Sequence, residues 1–308
     1  MNSRKNLQVF LLFSATVLIW GSTWIAVKLH LGVVDPSVSA FYRNAIAALV
    51  MFAWCRGKNL SLSFPLRDHL SFLLLGFFLF SGNYYLVYQA TGMLTSGLVA
   101  VVFSTIVFIN IFTARIILGN KTSLSALLGA LVGVAGIALV FSAELTGMSF
   151  ANNSVRGLLF ALLATFLASM GSITATWMST RRQLPVVQYN AWGMFYGCCL
   201  LFLVALFSGK TFNYEYTLQY SAALIYLAVF GTALGFGFYL RLLELIGPDK
   251  GGYTFLIFPI VALLISTAFE DYQWTLHAFI GLGLIAAGSI LALRSKTPAQ
   301  TAARPNTD

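Results

Sequence analysis

The chain has 308 residues, of which 59% are hydrophobic and only 9% charged, and its mean hydropathy is +0.84. A soluble domain carries roughly a quarter charged residues, so this composition excludes an ordinary soluble fold and points to a polytopic membrane protein. The formal charge of +9 is scattered over several short segments instead of forming one basic patch, which excludes nucleic acid as the expected partner.

A helix needs about 20 apolar residues to cross the hydrocarbon core. Spans are predicted at 9–28, 37–55, 69–89, 95–116, 123–142, 156–178, 186–208, 217–240, 252–270 and 276–294. The first follows Met-Asn-Ser-Arg-Lys, the outline of a signal peptide. Its apolar stretch is too long for one and leads into Trp20-Gly21-Ser22-Thr23-Trp24, so it is expected to be retained. Trp20 and Trp24 lie four apart and share a helix face. Trp24 is expected in the interfacial aromatic belt, and Trp20, deeper, is a candidate for lining a cavity.

The second span holds Arg43, with no carboxylate near it in sequence. A charge inside the membrane is costly and marks a functional site by default. Two uses compete: binding a substrate carboxylate, or tying carbonyls and helix ends of neighbouring spans. On the third span, Tyr84 and Tyr88 again share a face, flanked by Asn83 and Gln89. Tyrosine offers a ring and a hydroxyl that needs a partner when buried, which suits either cavity lining or helix packing. The later spans add Trp177, Trp192, Tyr196 and Tyr239, with Ser172 and Thr174 as small hydrogen-bonding positions. Gly129, Gly133 and Gly136 on the fifth span, and Gly281, Gly283 and Gly288 on the tenth, permit close helix approach, within a monomer or at a homodimer seam. Pro259 removes a backbone donor from the ninth span, as a gate would need or as membrane helices tolerate structurally.

Basic residues in short loops are held on the cytoplasmic side. With the N-terminus inside, fourteen of the eighteen basic residues fall on inner segments, only Lys28, Arg156 and Lys210 on outer ones, and Arg43 within a span. Both termini are therefore expected in the cytoplasm. An internal repeat supports an even division. A shift of 154 aligns Gly97 with Gly251, Ile106 with Ile260 and Thr113 with Thr267, and a shift of 152 aligns Leu124 with Leu276, Gly129 with Gly281 and Gly136 with Gly288. Five spans per half force the second half to enter the membrane inverted. Inverted repeats place a substrate site near the midplane and allow alternating access. The predicted fold class is thus an all-α polytopic membrane protein with ten transmembrane helices in a five-plus-five inverted-topology repeat.

Trp20-Gly21-Ser22-Thr23 in the first span, Arg43 in the second, Phe258-Pro259-Ile260-Val261-Ala262 in the ninth and Glu270 near its end resemble the EamA-type permeases of the drug/metabolite transporter superfamily. The resemblance spans Phe10 to Leu293. It implies one repeat over 8–142, a second over 155–294, a disordered cytoplasmic tail over 295–308, and a home in the bacterial cytoplasmic membrane, exporting amino acids or other small metabolites. The chain departs from the pattern where Thr105 matches Pro259 and where Gly119-Asn120-Lys121 replaces the acid expected after the fourth span. The two halves are therefore not expected to act as equivalent gates.

Cys55, Cys198 and Cys199 show neither metal-ligand nor disulfide spacing. No phosphate-binding loop and no nucleophile-base constellation shares a segment, so neither ATP-driven transport nor catalysis is indicated, and no cofactor or metal is expected. His30, His69 and His277 are placed at membrane edges. All nine acidic residues fall at span ends or in loops, which weighs against export of small cationic drugs. The expected function is export of a small metabolite, an amino acid or related zwitterionic or aromatic solute. A non-transporting membrane scaffold, a multidrug efflux protein and a lipid-modifying enzyme are the alternatives. Candidate cavity-lining residues are Trp20, Arg43, Asn83, Tyr84, Tyr88, Trp177, Trp192 and Tyr239, with Pro259 as the candidate gate or kink.

Overall fold

A computed structural model describes residues 2–119, 123–142 and 153–294. The expected disordered tail, 295–308, lies outside the described residues. Among these, ten helices follow one another: α1 Asn2–Leu29, α2 Pro36–Gly57, α3 Leu66–Met93, α4 Ser96–Ile117, α5 Leu124–Val140, α6 Asn153–Thr180, α7 Val186–Phe207, α8 over 218–251, α9 Thr254–Phe269 and α10 Leu276–Arg294. Eight are long and apolar enough to cross a membrane, and α5 and α9 are shorter apolar helices. In hydrocarbon every backbone N–H and C=O must be satisfied within the segment, which leaves helix as the available structure for such runs.

Local chemistry sets the ends. Asp35 accepts hydrogen bonds from the Ser37 N–H (2.9 Å) and hydroxyl (2.6 Å), and Pro36 opens α2 with its φ already helical. Ser123 and Thr217 cap α5 and α8 by accepting from Ala126 N–H and Tyr220 N–H. Gly119 at φ +72° ends α4 in the left-handed conformation. The helix boundary furthest from expectation is the end of α8, at Gly251 instead of 240. α3 starts at Leu66 instead of 69, and its polar first turn buries Asp68 in an ion pair with Arg182, just beyond α6.

The two halves interlock crosswise. α1 packs on α8 and α9, and α6 packs on α3 and α4, so the first helix of each half lies against the third and fourth of the other. α2 packs on α7, and α5 on α10. Glycine makes the last pair close: a Cβ on Gly136 would stand 2.6 Å from the Gly281 carbonyl oxygen. Gly283 has nothing within 4 Å, so it takes no part in this seam. Two irregularities sit at equivalent places. α3 is a π-helix over Gly76–Gly82, and α8 over Tyr226–Leu234. α4 is interrupted at Ser104 and Thr105, whose hydroxyls bond back to Val101 O and Val102 O, whereas α9 remains helical through Pro259.

Candidate functional site

Both halves line a central cavity of about 890 Å³. Alternating helices put the chain's two described ends, Asn2 and Arg294, on one face of the bundle, called here the terminal face. The cavity reaches that face between Ser123, Thr180, Val186 and Leu293, the ends of α5, α6, α7 and α10. Its floor lies at Val27 and Val87, and no described residue beyond them lines it.

Arg43, on α2, marks its polar end. The guanidinium lies 4.1 Å from the centre of the Tyr84 ring, and its Nε and Nη2 donate to Thr232 Oγ1 at 3.3 and 3.2 Å. The π-helix in α8 makes this acceptor available. Its wider turn lets the Thr232 hydroxyl donate to Leu227 O, five residues back, at 2.9 Å, which turns the oxygen's lone pairs toward Arg43. Trp20 forms an aromatic wall with Phe236, Tyr239 and Phe255, at ring separations of 5.5, 5.0 and 5.8 Å, and its indole N–H donates to Gly231 O at 3.3 Å. Asn83 lines the cavity while donating to Ala164 O of α6 at 2.7 Å.

Trp20, Arg43, Asn83, Tyr84 and Tyr239 thus meet around one space. Three other predicted lining residues stand outside it. Tyr88 is fully buried one turn beyond Tyr84, where its hydroxyl pairs with His30 Nδ1 at 2.8 Å. Trp177 is half-buried at the end of α6 with the Arg182 guanidinium over its ring. Trp192 packs on His69 and Phe52 and donates to Leu62 O, toward the loop between α2 and α3. Their helices are the expected ones, but each faces a packing partner. One edge assignment also changes. Trp24 is no belt residue: it is buried between Phe103 and Phe258 and lines the cavity. His30 is fully buried against Tyr88 and Tyr220. Four further residues belong to this region: Thr232 and Asn110, polar side chains within spans, and Tyr189 and Asn190 near the start of α7; the last three line the cavity. Polarity inside apolar helices is the only mark they leave in the sequence.

Opposite the terminal face, polar contacts seal the bundle. The Glu270 carboxylate, at the end of α9, accepts from the Ser96 N–H (3.1 and 2.9 Å), from the Ser96 hydroxyl and from the Ser266 hydroxyl (2.6 Å). Thr95, which precedes α4, makes no side-chain cap, so an acid from another helix caps α4 instead, where the helix dipole favours it. Gly97 N–H donates to Ser266 Oγ at 2.8 Å, and Lys28 donates to Thr91 O at 3.0 Å. In the adjoining loops Asp35 pairs with Lys210 at 3.0 Å. Burial alone would push the Asp35 carboxyl up, but the Ser37 hydrogen bonds and the Lys210 ammonium outweigh it and hold the group below its ordinary value.

A membrane-spanning helical bundle whose two interlocked halves enclose a central cavity is the architecture of a transporter. The sequence profile of the EamA-like transporter family matches residues 7–142 and again 155–294. The chain belongs to that family, which is one of transporters and not of enzymes. It is 28% identical over 302 residues to the uncharacterized transporter YvbV of Bacillus subtilis, covering 95% of this chain and 93% of the relative. It is 26% identical over 300 residues to the uncharacterized inner membrane transporter YedA of Escherichia coli, with 96% and 94% covered. A solved crystal structure superposes with a TM-score of 0.67 at 17% identity, over 92% of this chain and 96% of the other, a likeness of fold alone.

Proposed function

We propose that this chain is a secondary transporter of the bacterial inner membrane, with both termini cytoplasmic, that exports a small carboxylate-bearing metabolite of the amino-acid or aromatic-acid kind. The observation that carries this reading is the cavity. It lies between two inverted halves, reaches the terminal face among the described residues, and holds an intramembrane cation, Arg43, among aromatic side chains. In this arrangement a solute enters from the terminal face, and rocking of one half against the other exposes it to the opposite side. The basic asymmetry of the loops supports the cytoplasmic placement of that face, and the inner-membrane location of the relative YedA agrees with it. Trp20, Tyr84 and Tyr239 would pack against the solute, Asn83 would bond it, and Pro259 together with the break at Thr105 would provide flexible points on either side.

Counterflow into liposomes bearing the purified protein, preloaded with a pool of metabolites, tests the proposal. Accumulation of at least one labelled carboxylate is the expected result. Uptake of none, under exchange or under a proton gradient, would favour a scaffold.

A further inference from the structure

Arg43 makes the cavity electrically one-sided. A guanidinium at membrane depth is costly even on lenient insertion scales, and such groups pair with an opposite charge or with backbone carbonyls. Among the described residues Arg43 has no carboxylate partner: the ion pairs found there, Asp68 with Arg182 and Asp35 with Lys210, lie at helix ends. Two of the guanidinium's five donors converge on a single neutral hydroxyl, Thr232 Oγ1. Arg43 is also the one charged side chain among the described residues lining the cavity. Trp24 lines the same space, and its indole N–H is buried without a partner among the described residues.

We propose that the solute is an organic monoanion: an aromatic or apolar body with one carboxylate and no compensating positive group. The proposal rests on the reading of the cavity as a transport site and narrows it. A planar guanidinium fork matches the geometry in which a carboxylate accepts bidentately, and the aromatic wall around Trp20 receives the body. A zwitterion brings in an ammonium that must also leave water and that Arg43 repels, and the described lining offers it no carboxylate, only neutral polar groups and aromatic faces. An amine would meet Arg43 as a like charge. A neutral amide would form the weaker, uncharged kind of hydrogen bond.

Four probes on one skeleton separate these cases: 3-phenylpropionate, phenylalanine, 3-phenylpropionamide and phenethylamine. Binding to the purified full chain in detergent is read by quenching of tryptophan fluorescence and by thermal shift. The expected order has 3-phenylpropionate about tenfold or more tighter than phenylalanine or the amide, with phenethylamine weakest. Arg43→Gln is expected to bind acid and amide alike, and Arg43→Lys to keep part of the preference. Phenylalanine binding as tightly as 3-phenylpropionate overturns the proposal, as does an anion preference that survives in folded Arg43→Gln, or no binding of any probe to the folded parent. Should Arg43→Gln not fold, the ranking on the parent and on Arg43→Lys decides. Flux in the counterflow assay is scored separately, so a transport-competent protein that prefers the zwitterion would sink the anion assignment alone.

Discussion

Tyr84 and Tyr88 show how far a single helical turn can separate two roles. Tyr84 stacks on Arg43 at the cavity, whereas Tyr88 closes the bundle with His30. Tyr84→Phe keeps the ring and loses only the hydroxyl, so solute affinity is expected to fall by somewhat less than tenfold, the worth of about 1 kcal/mol for one neutral hydrogen bond. Tyr88→Phe is expected to leave affinity near the parent value while lowering thermal stability, because His30 Nδ1 loses its partner in a buried setting. Equilibrium binding and melting curves on both variants check the contrast, and equal loss of affinity would put Tyr88 back in the site. The shared face of the two tyrosines was legible in their spacing, but their depth was not, because periodicity fixes direction around a helix and not which neighbour lies there. Trp192 and Trp24 went astray for the same reason. Thr232 was hidden differently: a threonine in a membrane helix usually bonds its own backbone, and this one does so while also serving Arg43.

Helices were the most legible level, since a bilayer allows long apolar runs little other backbone structure. The paired π-helices in α3 and α8 were not legible, because an altered hydrogen-bond ladder leaves no mark on hydropathy. Contact between elements tests two helix roles. A Cβ on Gly133 would overlap the Phe108 ring of α4, so Gly133→Leu is expected to reduce the yield of folded protein severalfold while leaving the affinity of the surviving fraction alone. Overpacking of this kind costs about 1–3 kcal/mol, and size-exclusion yield with binding on the monodisperse peak reads it. Glu270→Gln keeps the shape of the cap on α4 but removes its charge, and hydrogen bonds to a charged group are worth about 1.5–3 kcal/mol. A cysteine at Val87, on the cavity floor, is expected to react faster in that variant with an impermeant thiol reagent applied opposite the terminal face. Unchanged reactivity would mean that Glu270 does not hold that side shut.

At the scale of the whole molecule, the inverted repeat explains the crosswise packing of α1 and α6, and the loop charges set an orientation that labelling can check. In a background without Cys55, Cys198 and Cys199, a cysteine at Lys210 is expected to react with an impermeant reagent outside intact cells, and one at Arg181 is not. The reverse pattern would invert the molecule. Symmetry between the halves is incomplete in one respect that matters for kinetics. Position 116 corresponds to Glu270 under the 154-residue shift and holds Ile116, which is 81% exposed, so the acid that caps α4 has no twin. A free-energy bias of about 1.5–3 kcal/mol toward one resting conformation corresponds to a population ratio of roughly ten to a hundredfold. Carrier kinetics inherit that ratio. Where return of the empty carrier limits turnover, half-saturation is expected at a high solute concentration when flux starts from the terminal face, to which the empty carrier returns quickly, and at a much lower one when it starts from the other. Microscopic reversibility then requires the maximal rates of a simple carrier to differ by the same factor, so the poorly saturating direction is also the faster one at high load. A protein of this build clears a concentrated solute quickly from one compartment and carries a scarce one equally well either way, without any one-way step in its cycle.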